Sequence, residues 1–244
     1  MKILVVLMVI VVVAFFLGGM FFSKTVVIEE RTLMLRTEET STARIFVPAV
    51  DENGQGLITT ITVEVAQGSG QTLTSIENIL FFVDTQHSIR IARDVAADLT
   101  RFDLSEIDLT YTIQADASVI EGPSAGAALT IATIAALEGQ TLNQNVMITG
   151  TIREDGSIGR VGKVYEKSRA AAEGGATLFL VPRGSGFSVN QGTSYQRVLT
   201  CSNQDGLEIC ETSYEPVAGS GPGIQIKEVA TIEEALPYFI EGAS

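Results

Sequence analysis

Histidine occurs once, cysteine twice and basic side chains only 16 times in these 244 residues. Each scarcity removes a class of function. With His87 alone, a Ser-His-Asp triad exists only if that residue serves as the base. Two cysteines, Cys201 and Cys210, are too few for a thiolate metal site, and His87 lies far from them in sequence. Neither a metal nor a cofactor is expected. Against the 16 basic residues stand 29 acidic ones, a formal net charge of −13. Nucleic acid and anionic lipid headgroups are therefore poor partners. No phosphate-binding G-x-x-x-x-G-K-S/T loop occurs, because the Gly-rich stretch 156–162 lacks the spacing.

What is present begins with an apolar run. Residues 3–22, ILVVLMVIVVVAFFLGGMFF, carry no charge. Twenty residues at helical rise span about 30 Å, the thickness of a bilayer core. A cleaved signal peptide ends in small residues, whereas Phe21, Phe22 and Lys24 occupy that region here. The expectation is an uncleaved anchor over 1–23, a connector over 24–42 and a globular domain over 43–244. Lys2 on one side and Lys24, Arg31 and Arg36 on the other, diluted by Glu29 and Glu30, leave the orientation open. The stretch CSNQDGLEIC places the hairpin signal Asp205-Gly206 between the two cysteines. A disulfide between Cys201 and Cys210 would imply an extracytoplasmic domain; the alternative is two unrelated thiols.

Within the domain, 44–50 and 57–66 are rich in β-branched residues and flank the turn cluster DENGQG, which predicts a hairpin. A strand is expected near 77–82. Residues 84–101 show an apolar stripe at helical spacing, with Asp84 as a candidate cap. A strand follows at 109–113, a helix over 123–138 and a strand over 146–152. A helix over 163–174, a strand over 176–182, a polar excursion over 183–223, a strand at 224–230 and a helix over 231–240 complete the chain. Strands alternating with helices predict an α+β or α/β layered domain.

The chemistry centres on EGPSAG, residues 121–126. Pro123 suits the first turn of a helix, and free N–H groups over 122–126 would face an anion beside Ser124. Small neighbours Gly122, Ala125 and Gly126 admit a substrate backbone. Ser124 is thus either a helix cap or a nucleophile. A nucleophile needs a base, and a desolvated lysine of lowered pKa qualifies. Lys163 and Lys167 follow on a helix of small and apolar residues, and spacing alone does not choose between them. His87 reads as a bystander.

Taken together, EGPSAG, VMITGTI and GRVGKVYEKSRAAAEGGATLFLVP resemble the proteolytic domain of the Lon proteases, the S16 peptidases, in an archaeal-like form. The resemblance covers about 44–241 and is strongest over 119–182. It implies that fold: layered sheets and helices, here preceded by a transmembrane helix. It makes Ser124 the nucleophile and Lys167, 43 positions later, the base. Lys163 falls where the family has glycine. Thr149 corresponds to the threonine that helps orient the lysine, and Glu121 to an acidic position usually held by Asp. Thr151 stands where Glu is common, and the Cys-bearing excursion is longer than usual. The implied function is a membrane-anchored, ATP-independent serine endopeptidase acting on unfolded proteins or peptides and assembled as a homo-oligomer, on the family pattern a hexamer. The alternative is a silent, membrane-tethered binding or assembly module.

Overall fold

A computed structural model describes residues 40–51, 53–76, 83–115, 122–185, 187–190, 193–204, 207–217 and 223–240. The proposed anchor and most of the connector, the strand expected at 77–82 and Glu121 lie outside the described residues. Among the described residues, no helix is long and apolar enough to cross a membrane.

Four strands form the main sheet: β1 (Ser41–Val50), β2 (Gly56–Gln67), β3 (Thr72–Ile76) and β4 (Ile107–Ala115), in the order β1-β2-β4-β3. β1 and β2 are the expected hairpin, antiparallel with Ile45 opposite Ile61. Their residues alternate between faces, as the pleat requires. One face buries Ala43, Ile45, Val47, Ile61, Val63, Val65, Leu109, Tyr111 and Ile113. Against it packs α2 (Gly126–Glu138), buried from Gly126 through Leu137. A helix apolar all round needs cover on all sides. α1 (Val83–Thr100) supplies more of that cover through Ile89, Ala92, Val95 and Ala96. Asp84 lies inside the first turn of α1 rather than before it, because the helix already starts at Val83.

A second apolar cluster joins Phe46 and Ile58 of the hairpin to Val164 and Ala171 of α3 (Val164–Glu173). Met147, Phe179 and Val181 complete it, from β5 (Val146–Ile148) and β8 (Leu178–Pro182). β8 is the centre of a parallel three-stranded sheet, flanked by β5 and by β12 (Gln225–Val229). α3 comes close to the hairpin at Gly56, where an added Cβ would lie 2.8 Å from both Ala170 Cβ and Glu166 O.

The strand expected over 146–152 is broken in two. The Thr149 N–H still reaches Leu180 O at 3.1 Å, but the Gly150 N–H turns away to Ser124 O at 2.9 Å. The chain leaves the parallel sheet there and resumes as β6 (Thr151–Ile152), paired with β7 (Ile158–Gly159). The closing helix is also shorter than expected: α4 spans Ile232–Ala235 and passes into a 3-10 turn at Leu236–Tyr238. Pro237, without an N–H, cannot continue the α-helical ladder.

The polar excursion is a sheet of its own, β9 (Phe187–Asn190), β10 (Thr193–Gln204) and β11 (Leu207–Val217). β10 and β11 are antiparallel, and their register sets Cys201 opposite Cys210. Cys210 is disulfide-bonded.

α2 begins at Gly126 because nothing larger fits: an added Cβ would sit 2.7 Å from Ile152 Cγ2 and 2.8 Å from the Ile152 backbone nitrogen. Gly126→Ala is expected to lower the urea unfolding free energy by about 1–3 kcal/mol, the usual cost of overpacking a close contact.

Candidate active site

Ser124 sits in a 3-10 turn, Pro123–Ala125, that feeds α2. Gly122 opens it at φ 94°, ψ 162°, a conformation open to glycine and costly for other residues. Gly122 is the N-cap of the 3-10 turn and Ala125 that of α2, and neither cap has a side-chain hydrogen bond. The serine is therefore not a helix cap. It lines a cavity of about 570 Å³ together with Gly122, Pro123, Thr151 and Lys167. Ala125 instead packs partly against the core. The expected row of free N–H groups over 122–126 is corrected at its last member, since the Gly126 N–H bonds to Pro123 O; just beyond the row, the Ala127 N–H bonds to Gly150 O at 3.0 Å.

Lys167 comes from α3, one turn after the helix start. Its N–H bonds to Lys163 O at 3.1 Å. The side chain is buried, with 6% of the residue exposed. Among the described residues no carboxylate forms an ion pair with it. Burial is the main cause that brings its pKa down to about 8; the charge of Lys163 lowers it further and Glu166 opposes. That amine is the kind of base a serine hydroxyl needs.

Thr149 connects the two. It is fully buried, at the break between β5 and β6. Its hydroxyl donates to Ser124 O at 3.3 Å and accepts from Lys167 Nζ at 3.4 Å. With the Gly150 N–H on the same carbonyl, the serine turn is held at two points to the strand break that carries the lysine's partner. Three distant segments thus meet through one hydroxyl.

Residues 83–193 match the Lon protease (S16) C-terminal proteolytic domain. The matched span contains Ser124, Thr149 and Lys167. The Lon protease of Acinetobacter baumannii is 28% identical over 195 residues, 76% of this chain. That of Methylocella silvestris is 31% identical over 157 residues, 60% of the chain. The archaeal Lon protease of Archaeoglobus fulgidus is 26% identical over 154 residues, again 60%. These matches span only 20%, 19% and 24% of the relatives' own lengths.

Sequence reasoning overlooked Asp51 and Arg160, which also line the cavity with Val161, Gly162 and Lys163. Asp51 had been legible only as the first residue of a turn. Lys163 caps α3 at φ 55°, in the left-handed region. A non-glycine residue there costs about 1 kcal/mol. His87 is exposed and lies in a neighbouring cavity, beyond Pro123 and Thr151. Among the described residues, no group of His, Cys, Asp and Glu is placed to hold a metal ion.

The buried amine makes stability depend on pH. The folded pKa of about 8 lies below the ordinary lysine value of 10.5, so between those values the unfolded chain holds the proton and the folded chain does not. Stability therefore rises with pH from about 8 towards 10. Above that, Tyr111, pushed up to about 12 by burial, opposes the rise because the folded state then retains a proton the unfolded state loses. Lys167→Met is expected to abolish the rise and to add about 1–3 kcal/mol at pH 7. Urea titrations of both proteins from pH 6 to 10 measure it.

Proposed function

We propose that the chain is a membrane-anchored serine endopeptidase that cuts unfolded proteins or peptides without ATP, using Ser124 and Lys167 as a dyad. One observation carries this reading: a buried lysine of lowered basicity, without an ion-pair partner among the described residues, shares a cavity with the one serine held at the mouth of α2. A surface lysine of ordinary pKa would be neutral in about one molecule in three thousand at pH 7; at a pKa of about 8, roughly a tenth are.

Neutral Lys167 takes the Ser124 hydroxyl proton as Oγ attacks the scissile carbonyl carbon. The resulting ammonium returns that proton to the departing amine, and the C–N bond breaks. A water then attacks the acyl carbon and gives a proton to Lys167; the ester C–O bond breaks, Lys167 returns that proton to Ser124 Oγ, and the carboxylic acid leaves. Thr149 keeps the lysine aimed through its hydroxyl. Peptide hydrolysis on this route consumes no nucleotide. Residues 3–22 anchor the chain, and the cross-linked excursion fits an oxidising, extracytoplasmic side. The similarity to Lon proteases supports a homo-oligomer, a hexameric ring being the form proposed.

The test uses the full chain in detergent with casein as unfolded substrate, with and without ATP. Ser124→Ala and Lys167→Ala are each expected to lose at least about a thousandfold in kcat/KM. Activity of the unsubstituted chain should rise as pH passes about 8, as Lys167 loses its proton, and ATP should leave it unchanged. Equal cleavage by the Ser124→Ala chain would remove the dyad. Alkaline extraction of membranes checks the anchor: the chain should stay in the pellet.

A further inference from the structure

The cavity beside Ser124 is unusually cationic for so acidic a chain. Among the described residues, Arg160, Lys163 and Lys167 line it against a single acid, Asp51. Asp51 is already engaged, its Oδ1 accepting from the Asn53 N–H at 2.9 Å and the Gln55 N–H at 2.7 Å. Among the described residues, neither Arg160 nor Lys163 forms an ion pair. Lys163 lines the same cavity as Lys167 and its charge lowers the pKa of that amine; Glu166, on the same helix, acts in the opposite sense. The neighbouring cavity, beyond Pro123 and Thr151, is mixed, with Arg153 set among Glu154 and Asp155. The excess of positive charge is therefore local to the side of Ser124 that faces α3. Its backbone is also held: Lys163 carries a side chain at φ 55°, where glycine would be easier, and its carbonyl accepts from the Lys167 N–H.

Building on the peptidase reading, we propose that Arg160 and Lys163 form a carboxylate-binding rim that selects peptides presenting an acidic group beside the scissile bond. A guanidinium and an ammonium lining one cavity complement a carboxylate. The net charge of −13 disfavours anionic peptides at long range, so two cations at the cleft decide which of them enter. The carboxylate can come from a Glu or Asp side chain or from the peptide's own C-terminus.

Binding can be read without turnover. The full-length Ser124→Ala chain in detergent is titrated by fluorescence anisotropy into peptides carrying one uncharged fluorophore. The peptides differ by Glu or Gln at a single scanned position, with the C-terminus amidated or free. The amidated Glu peptide is expected to bind about fivefold more tightly than its Gln partner at low salt, and the advantage should shrink as salt rises. Lys163→Gly, which suits the left-handed backbone, and Arg160→Gln should each reduce the ratio, and Lys163→Glu should reverse it. An advantage carried by the free C-terminus alone supports the rim and assigns it to the chain end. Equal binding of all four peptides, or a preference that survives both rim substitutions, overturns the proposal. If the preference holds while the unsubstituted chain cleaves none of the peptides, the peptidase reading falls and the rim stands.

Discussion

The exclusion of water from one amine governs this structure. Lys167 is carried into the interior by α3, whose small residues let the helix lie close to the β1–β2 hairpin. Ala170 nearly touches Gly56, and Ala171 joins the cluster around Phe179. A bulkier helix would stand off and admit solvent. Charge on a buried ammonium is costly unless it is paired, and the described surroundings supply a hydroxyl rather than a carboxylate. The outcome is a base whose proton is held loosely near neutral pH. The proposed chemistry, the pH response and the influence of Lys163 all follow from that desolvation.

The second constraint is the strand break at Thr149-Gly150. On an edge strand such as β5 the Gly150 N–H faces away from β8 and has no sheet partner to meet among the described residues. Instead Gly150 gives its hydrogen bond to the serine turn, and Gly150 O receives that of Ala127. The start of α2 is thereby sewn to the end of β5, and the fully buried Thr149 hydroxyl is left where both the serine turn and the lysine reach it. An apparent irregularity of the sheet is what lets two elements from different layers serve one cavity.

How much of this was legible beforehand varies by element. The hairpin of β1 and β2 is written in the β-branched residues that flank DENGQG, and the two strands pair as expected. The long apolar helix after EGPSAG was equally plain. The break at Thr149 was not, because VMITGTI is a good strand by composition and the competing partner for Gly150 lies 26 positions upstream. The choice between Lys163 and Lys167 was closed to spacing and periodicity, and came only from resemblance to a family; burial now separates the two, with Lys163 exposed and Lys167 inside. Asp51 and Arg160 were invisible as site residues, since each reads as ordinary turn polarity until the fold brings their loops to the same wall. Cys201 and Cys210 were readable from the turn between them, and the strands set them directly opposite one another.

The joining of three remote segments through one hydroxyl has a temporal side. A chain emerging from the ribosome carries an ordinary lysine at residue 167, protonated at any cellular pH, and a serine with no neighbour of consequence. Only after β1, the Ser124 turn, the Thr149 break and α3 have docked does the amine become a base. On the proposed reading, such a hydrolase would be inert during its synthesis and would act on unfolded chains only once it has ceased to be one. Its own maturation is the safety catch.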